Sequence, residues 1–157
     1  MKYYILAAAM ALTATPALAS EFTGIRAEAT VGAEDVIHGV GREDITYGGA
    51  VGFDAEVYPK VTVGVEGSVD NVFEDHRDIG ASVRVGYEVA DNVLVYAKGG
   101  YANWENVTSK NLDGFRVGGG VDVAVIGPIY TGIEYRYSDF EDNAGKHGVF
   151  TKIGFRF

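Results

Sequence analysis

From position 20 onward the chain alternates apolar and polar residues with period two, and no stretch repeats apolar residues at i, i+3, i+4 and i+7. Such alternation marks strands with two unlike faces. Eight segments carry it, at about 22–32, 45–57, 61–69, 79–89, 93–102, 113–124, 129–138 and 147–157. Each holds about nine to thirteen residues, the length of a tilted strand crossing a bilayer rather than the five or six residues of a soluble sheet.

The two faces differ in kind. One carries Ile25, Val51, Phe53, Val63, Val65, Val83, Val85, Val95, Val117, Val121, Ile133, Tyr135, Val149 and Ile153, and has no charge. The other carries Arg26, Glu28, Asp54, Glu56, Glu66, Arg84, Glu88, Lys98, Arg116, Asp122, Glu134, Arg136, Lys152 and Arg156, seven cations and seven anions. Glycines such as Gly52, Gly64, Gly86, Gly100, Gly118, Gly120, Gly132 and Gly154 interleave with these charges. In a soluble sandwich the charged face would meet water, where glycine only weakens a strand. In a membrane barrel the polarity inverts: the apolar face meets lipid, and the charged face lines a narrow lumen in which glycine leaves room for long ion-paired side chains. Balanced charge fits a closed lumen, because an unpaired buried charge is costly.

The connections agree. Residues 33–44, 70–78, 103–112 and 139–146 read as four longer polar loops, while Tyr58-Pro59-Lys60, Ala90-Asp91-Asn92 and Ile126-Gly127-Pro128 read as three tight turns. Aromatic residues gather at strand ends as interface girdles, with Tyr58, Tyr87 and Phe157 on the turn side and Tyr47, Tyr101, Trp104 and Tyr137 on the loop side. The expected fold is therefore all-β, an eight-stranded antiparallel up-and-down transmembrane β-barrel. The soluble alternative is an exported barrel that binds an apolar ligand.

Composition narrows the function. The 157 residues hold 13 Lys+Arg against 22 Asp+Glu, a net charge of −9, which gives no basic footprint for nucleic acid. There is no cysteine, so thiol chemistry, disulfides and cysteine metal sites are excluded. Glycine numbers 22 and aromatics reach 12%, although mean hydropathy is only +0.04. Residues 1–19 read as a secretory signal peptide: Lys2 supplies a charge, Ile5 to Leu12 is apolar, and Ala17-Leu18-Ala19 is an A-x-A cleavage site. Residues 20–157 are then the barrel domain, and the chain is expected in the cell outer membrane.

Phe155-Arg156-Phe157 at the C-terminus, Asp113-Gly114-Phe115-Arg116-Val117-Gly118-Gly119-Gly120, and Gly132-Ile133-Glu134-Tyr135-Arg136-Tyr137 together resemble the small opacity-like and OmpA-like outer-membrane β-barrel proteins of Gram-negative bacteria. That resemblance implies that Phe155 and Phe157 belong to a signal read by the barrel-assembly machinery, with periplasmic chaperones as further partners during biogenesis.

Chemistry is thin by contrast. His38, His76 and His147 fall in or beside three different loops, without the spacing of a nucleophile, base and carboxylate. Asp70, Glu74, Asp75 and Asp78 are the nearest approach to a hard-cation site, but their spacing is not that of a calcium loop, and a solvated loop is the expectation. Gly118-Gly119-Gly120 lies mid-strand with no helix after it, so it reads as close packing and not as a phosphate loop. The sequence thus predicts no catalytic residue, metal or cofactor. It predicts a structural and cell-surface role, as antigen or adhesin with loops that could meet an extracellular ligand, in outer-membrane lipid. The alternative is a small passive channel.

Overall fold

A computed structural model of the chain describes residues 21–37, 44–71, 77–105, 111–140 and 144–157. They form eight strands: β1 (Gly24–Ile37), β2 (Asp44–Tyr58), β3 (Val61–Asp70), β4 (Asp78–Ala90), β5 (Val93–Glu105), β6 (Asn111–Ile126), β7 (Ile129–Phe140) and β8 (Ala144–Arg156). Each pairs antiparallel with its sequence neighbours, and β8 closes onto β1 in a register running from Arg26↔Arg156 to Ile37↔Gly145. Closure leaves no sheet edge, so backbone amides find partners without water.

The strands outrun the hydrophobic pattern at the loop end. β1 continues to Ile37, β6 begins at Asn111 and β8 at Ala144, so much of the expected loops 33–44, 103–112 and 139–146 is ladder. Pairs such as Asn103↔Asp113 and Asp35↔His147 show why: polar side chains mark where a strand meets water, and do not end its hydrogen bonding.

At the other end the three turns shorten to Pro59-Lys60, Asp91-Asn92 and Gly127-Pro128. The strand entering each carries one residue without a cross-strand partner: Val57, Val89 and Val125. These bulges reset the register. The carbonyls of Lys60, Asn92 and Pro128 then accept from the amides of Glu88, Ala124 and Arg156 at 2.8, 2.9 and 2.9 Å, stitching each turn to the next hairpin.

Side chains sort by face. Ile25, Val51, Val65, Val83, Val117, Ile133 and Val149 are exposed on the outside, while the inward charges are buried. Tyr58, Tyr87 and Phe157 lie exposed at the turn end and Tyr101 at the loop end, but Trp104 departs from the expected girdle. It shares the inward parity of Ala102 and packs inside the barrel against Ala102, Leu112 and Phe140.

Register explains the glycines. Gly52 stands between Arg26 and Glu66, Gly64 between Asp54 and Arg84, Gly118 between Lys98 and Arg136, and Gly132 between Asp122 and Lys152. Each is the low point over which two neighbouring strands' charged side chains lean. Gly120 serves Tyr96 and Glu134 in the same way, and a Cβ there would lie 2.6 Å from the Tyr96 hydroxyl oxygen. Outward Gly67 has nothing within 4 Å of that position. Gly120→Leu is therefore expected to lose about 1–3 kcal/mol or more by overpacking, whereas Gly67→Leu stays near neutral. Urea titration of the two variants refolded in lipid vesicles checks the contrast.

Candidate functional site

Among the described residues, the fold concentrates its buried polar chemistry in the lumen. Even-numbered strands supply Asp54 (β2), Arg84 (β4), Asp122 (β6) and Arg156 (β8), which alternate in sign and close into a ring. Arg84 meets Asp122 at 2.6 Å and Asp54 at 3.9 Å, and Arg156 meets Asp54 at 3.0 Å and Asp122 at 3.9 Å. Odd-numbered strands supply a second alternating set, Arg26 (β1), Glu66 (β3), Lys98 (β5) and Glu134 (β7). Its links are Arg26 to Glu66 at 2.8 Å, Lys98 to Glu66 at 2.6 Å and Lys98 to Glu134 at 2.7 Å. Lys152 completes that circuit through Glu134 at 3.8 Å and Glu28 at 3.4 Å, and Glu28 returns to Arg26 at 3.4 Å. Layers drawn from alternate strands are how a narrow barrel fills its interior. Arg26 to Asp54 and Lys152 to Asp122, both 2.9 Å, bind the layers together.

Two tyrosines complete the packing. Tyr96 donates to Glu134 at 2.5 Å and lies under the Arg84 guanidinium, 3.8 Å from its carbon to the ring centre. Tyr130 donates to Glu28 at 2.6 Å. Above the second layer, towards the loops, Arg136 joins Glu134 on its own strand and Asp70 across the barrel at 2.9 Å. Arg116 reaches Asp78 at 2.5 Å and Asp70 at 3.6 Å, and donates to the Ser138 hydroxyl at 2.8 Å.

Apolar side chains lie beyond the charges at both ends. Ala102, Leu112, Phe140 and Trp104 occupy the loop end, with the Lys146 ammonium 3.8 Å from the Trp104 ring centre. Phe22 and Leu94 are fully buried at the turn end, where Tyr130 is nearly so.

Of the fourteen charges assigned to the inner face, twelve are buried in these layers and two are not. Glu56 is exposed and Glu88 only half-buried, because each sits beside a turn bulge at the mouth. Glu56 accepts the Lys60 amide at 3.2 Å, as a turn residue does. In their place the lumen takes Asp70, Asp78 and Lys146, which the hydrophobic pattern had left in loops. The signal that finds them is parity: Asp70 is four residues on from Glu66, Asp78 two before Gly80, and Lys146 six before Lys152. Asp70 and Asp78 thus answer to Arg116 and Arg136, not to solvent; Glu74 and Asp75 lie outside the described residues.

The remaining sequence readings fall elsewhere. Ala17 and Ala19, His38 and His76 lie outside the described residues. His147 is on the outer face at the loop end, in register with Tyr137 and Asp35, its Nε2 4.0 Å from the Asp35 carboxylate. Phe155 and Phe157 also point outwards, their ring centres 5.0 Å apart. No group of three or more histidine, aspartate or glutamate side chains among the described residues is arranged to hold a metal.

A closed barrel with an uncharged band around its outside and a charged, filled inside is a structure for lipid. The family model for the outer membrane protein beta-barrel domain matches residues 4–157. The chain belongs to this family. Among solved structures, Neisserial surface protein A superposes with a TM-score of 0.60 at 15% identity, covering 86% of this chain and 98% of that one. Ail, the attachment invasion locus protein of Yersinia pestis, gives 0.57 at 13%, covering 85% and 99%. The outer membrane enzyme PagL gives 0.56 at 15%, covering 84% and 99%. No curated protein sequence matches the chain. At these identities the likeness is one of fold, and its bearers differ in what they do. Family membership places the protein in the outer membrane, and in such barrels the short turns face the periplasm.

Within this outer-membrane barrel the ion pairs are chiefly a filling held by charge. Deleting one partner of a buried pair strands the others: Asp122→Ala leaves Arg84 and Lys152 without their nearest carboxylate. The expected loss is about 3–5 kcal/mol. Asp113→Ala, on the outer face where Asp113 is exposed and accepts Asn103 at 2.6 Å, is expected to leave the midpoint almost unchanged. Unfolding midpoints of both variants in lipid, read by loss of heat-modifiable migration on gels, test the difference.

Proposed function

We propose that the protein is a non-enzymatic outer-membrane barrel with a structural and cell-surface role, closed to bulk flow by its own side chains. The carrying observation is the alternating ring Asp54–Arg84–Asp122–Arg156, which crosses the lumen completely and is itself buried. An eight-stranded barrel is only wide enough for side chains to fill. With the interior filled, contact with the surroundings falls to the loop end, where β1, β2 and β5–β8 run past the uncharged band into polar ladder. An extracellular ligand would meet the protein there, and lipid would meet its outer face. The outward pair Phe155 and Phe157 supports recognition by the assembly machinery during biogenesis.

Planar-bilayer recording of the purified, refolded chain is the test. The expected trace shows no large, stable conductance steps, and Arg84→Ala introduces them by opening the ring. Regular steps from the unsubstituted chain would instead establish a small passive channel.

A further inference from the structure

Phe22 is not part of any strand, yet its side chain is 0% exposed. The alternation in the sequence placed it at the head of the first strand. In the structure β1 starts two residues later, and Glu21 and Phe22 form a turn that directs the ring into the periplasmic mouth. Gly24 makes the bend, with φ of 104°, a conformation that disfavours any side chain. A Cβ at Gly24 would also collide with the Phe157 carbonyl. Beside it the Phe157 amide donates to Ile25 at 2.8 Å, so the bend is pinned at the β1–β8 seam.

Arg156 then holds the turned-in residue. Its Nη1 donates to the Phe22 carbonyl, and its guanidinium carbon stands 5.4 Å from the Phe22 ring centre and 4.9 Å from that of Tyr130. The same Nη1 is 3.0 Å from Asp54 in the first charged ring. The segment is therefore tied to the ion-pair network through one guanidinium.

We propose that Glu21–Thr23 is a stopper, latched by Arg156, that closes the periplasmic mouth and keeps water from the Asp54–Arg84–Asp122–Arg156 ring. Released, it exposes that ring to the periplasm while the layers above stay shut. The inference rests on the filled-lumen reading and goes beyond it, since ion pairs alone could fill the barrel with the mouth open.

The chain has no cysteine, so Thr62→Cys supplies a single thiol at an inward position that is 1% exposed at the same mouth. The full chain is refolded in lipid vesicles and treated with a charged, membrane-impermeant maleimide, and only heat-modifiable barrels are scored. With Phe22 present the thiol reacts slowly. Phe22→Ala is expected to speed labelling by about tenfold or more, while Phe22→Leu, which keeps an apolar stopper, stays slow. Gly24→Ala, which leaves Phe22 in place but forces the bend open, is expected to match Phe22→Ala and decides the matter if that variant does not fold. Equal rates with and without Phe22, or rapid labelling of the unsubstituted mouth, overturn the stopper. Failure of the filled lumen shows separately, as conductance steps from the chain with Phe22 intact.

Discussion

The structure depends on buried charges finding partners across a tube too narrow for water to screen them. Among the described residues the lumen holds eight buried cations, Arg26, Arg84, Lys98, Arg116, Arg136, Lys146, Lys152 and Arg156, and seven buried anions. Directly opposite residues on the wall do not supply the pairing. Arg84 stands opposite Lys98, and Arg26 opposite Arg156, arrangements that repel if nothing intervenes. Relief comes from carboxylates two strands away: Asp122 and Asp54 for Arg84, Glu66 and Glu134 for Lys98, Asp54 for Arg156. A side chain that must cross its neighbouring strand to reach a partner needs that strand to be low. Gly64 lies between Asp54 and Arg84, and Gly132 between Asp122 and Lys152. Ion pairing and glycine content are thus one requirement seen from two sides.

The same requirement explains how far the sequence could be read. Period-two alternation exposes the two faces directly, because every inward residue in a strand shares a parity and lipid tolerates no charge on the other face. Twelve of the inner charges follow from that rule alone, and Glu56 and Glu88 fail it only because bulges at Val57 and Val89 place them at the rim. What alternation could not show is where a strand ends in water. Asp70, Asp78 and Lys146 lie in polar surroundings, so hydropathy sets them in loops, while the ladder runs on beneath them. Nor could it show which charges meet, since partners lie as far apart in sequence as Arg136 and Asp70. Trp104 and Tyr96 were hidden for another reason. Aromatic rings suit a lipid interface by composition, and only their even parity puts them inside with Phe140 and Arg84.

Mean hydropathy near zero is a poor guide to such a chain, because it averages two surfaces that never share an environment. The distribution of charge is more informative. A lumen with one more cation than anions cannot account for a net charge of −9, so the acidity lies outside it. Among the described residues, rim and turn carboxylates such as Glu56, Asp91 and Asp113 carry part of it, exposed where they keep their water. Inside, sign is constrained by the partners each charge must meet; outside, that constraint is lifted.

Sealing and pairing reinforce each other. Ion pairs in a wet tube would be screened and worth little, and a dry tube with unmatched charge would not fold. Apolar side chains stand between the charges and the solvent at each end: Leu112, Phe140 and Trp104 towards the loops, Leu94, Tyr130 and Phe22 towards the turns. Where water is kept out, each pair strengthens and each missing partner becomes more expensive. A barrel built this way has little freedom to alter its interior one residue at a time, because a single charge lost takes a partner from two or three others. Exposed outer positions such as Gly67 carry no such burden, so substitutions are better tolerated there while the lumen stays as it is.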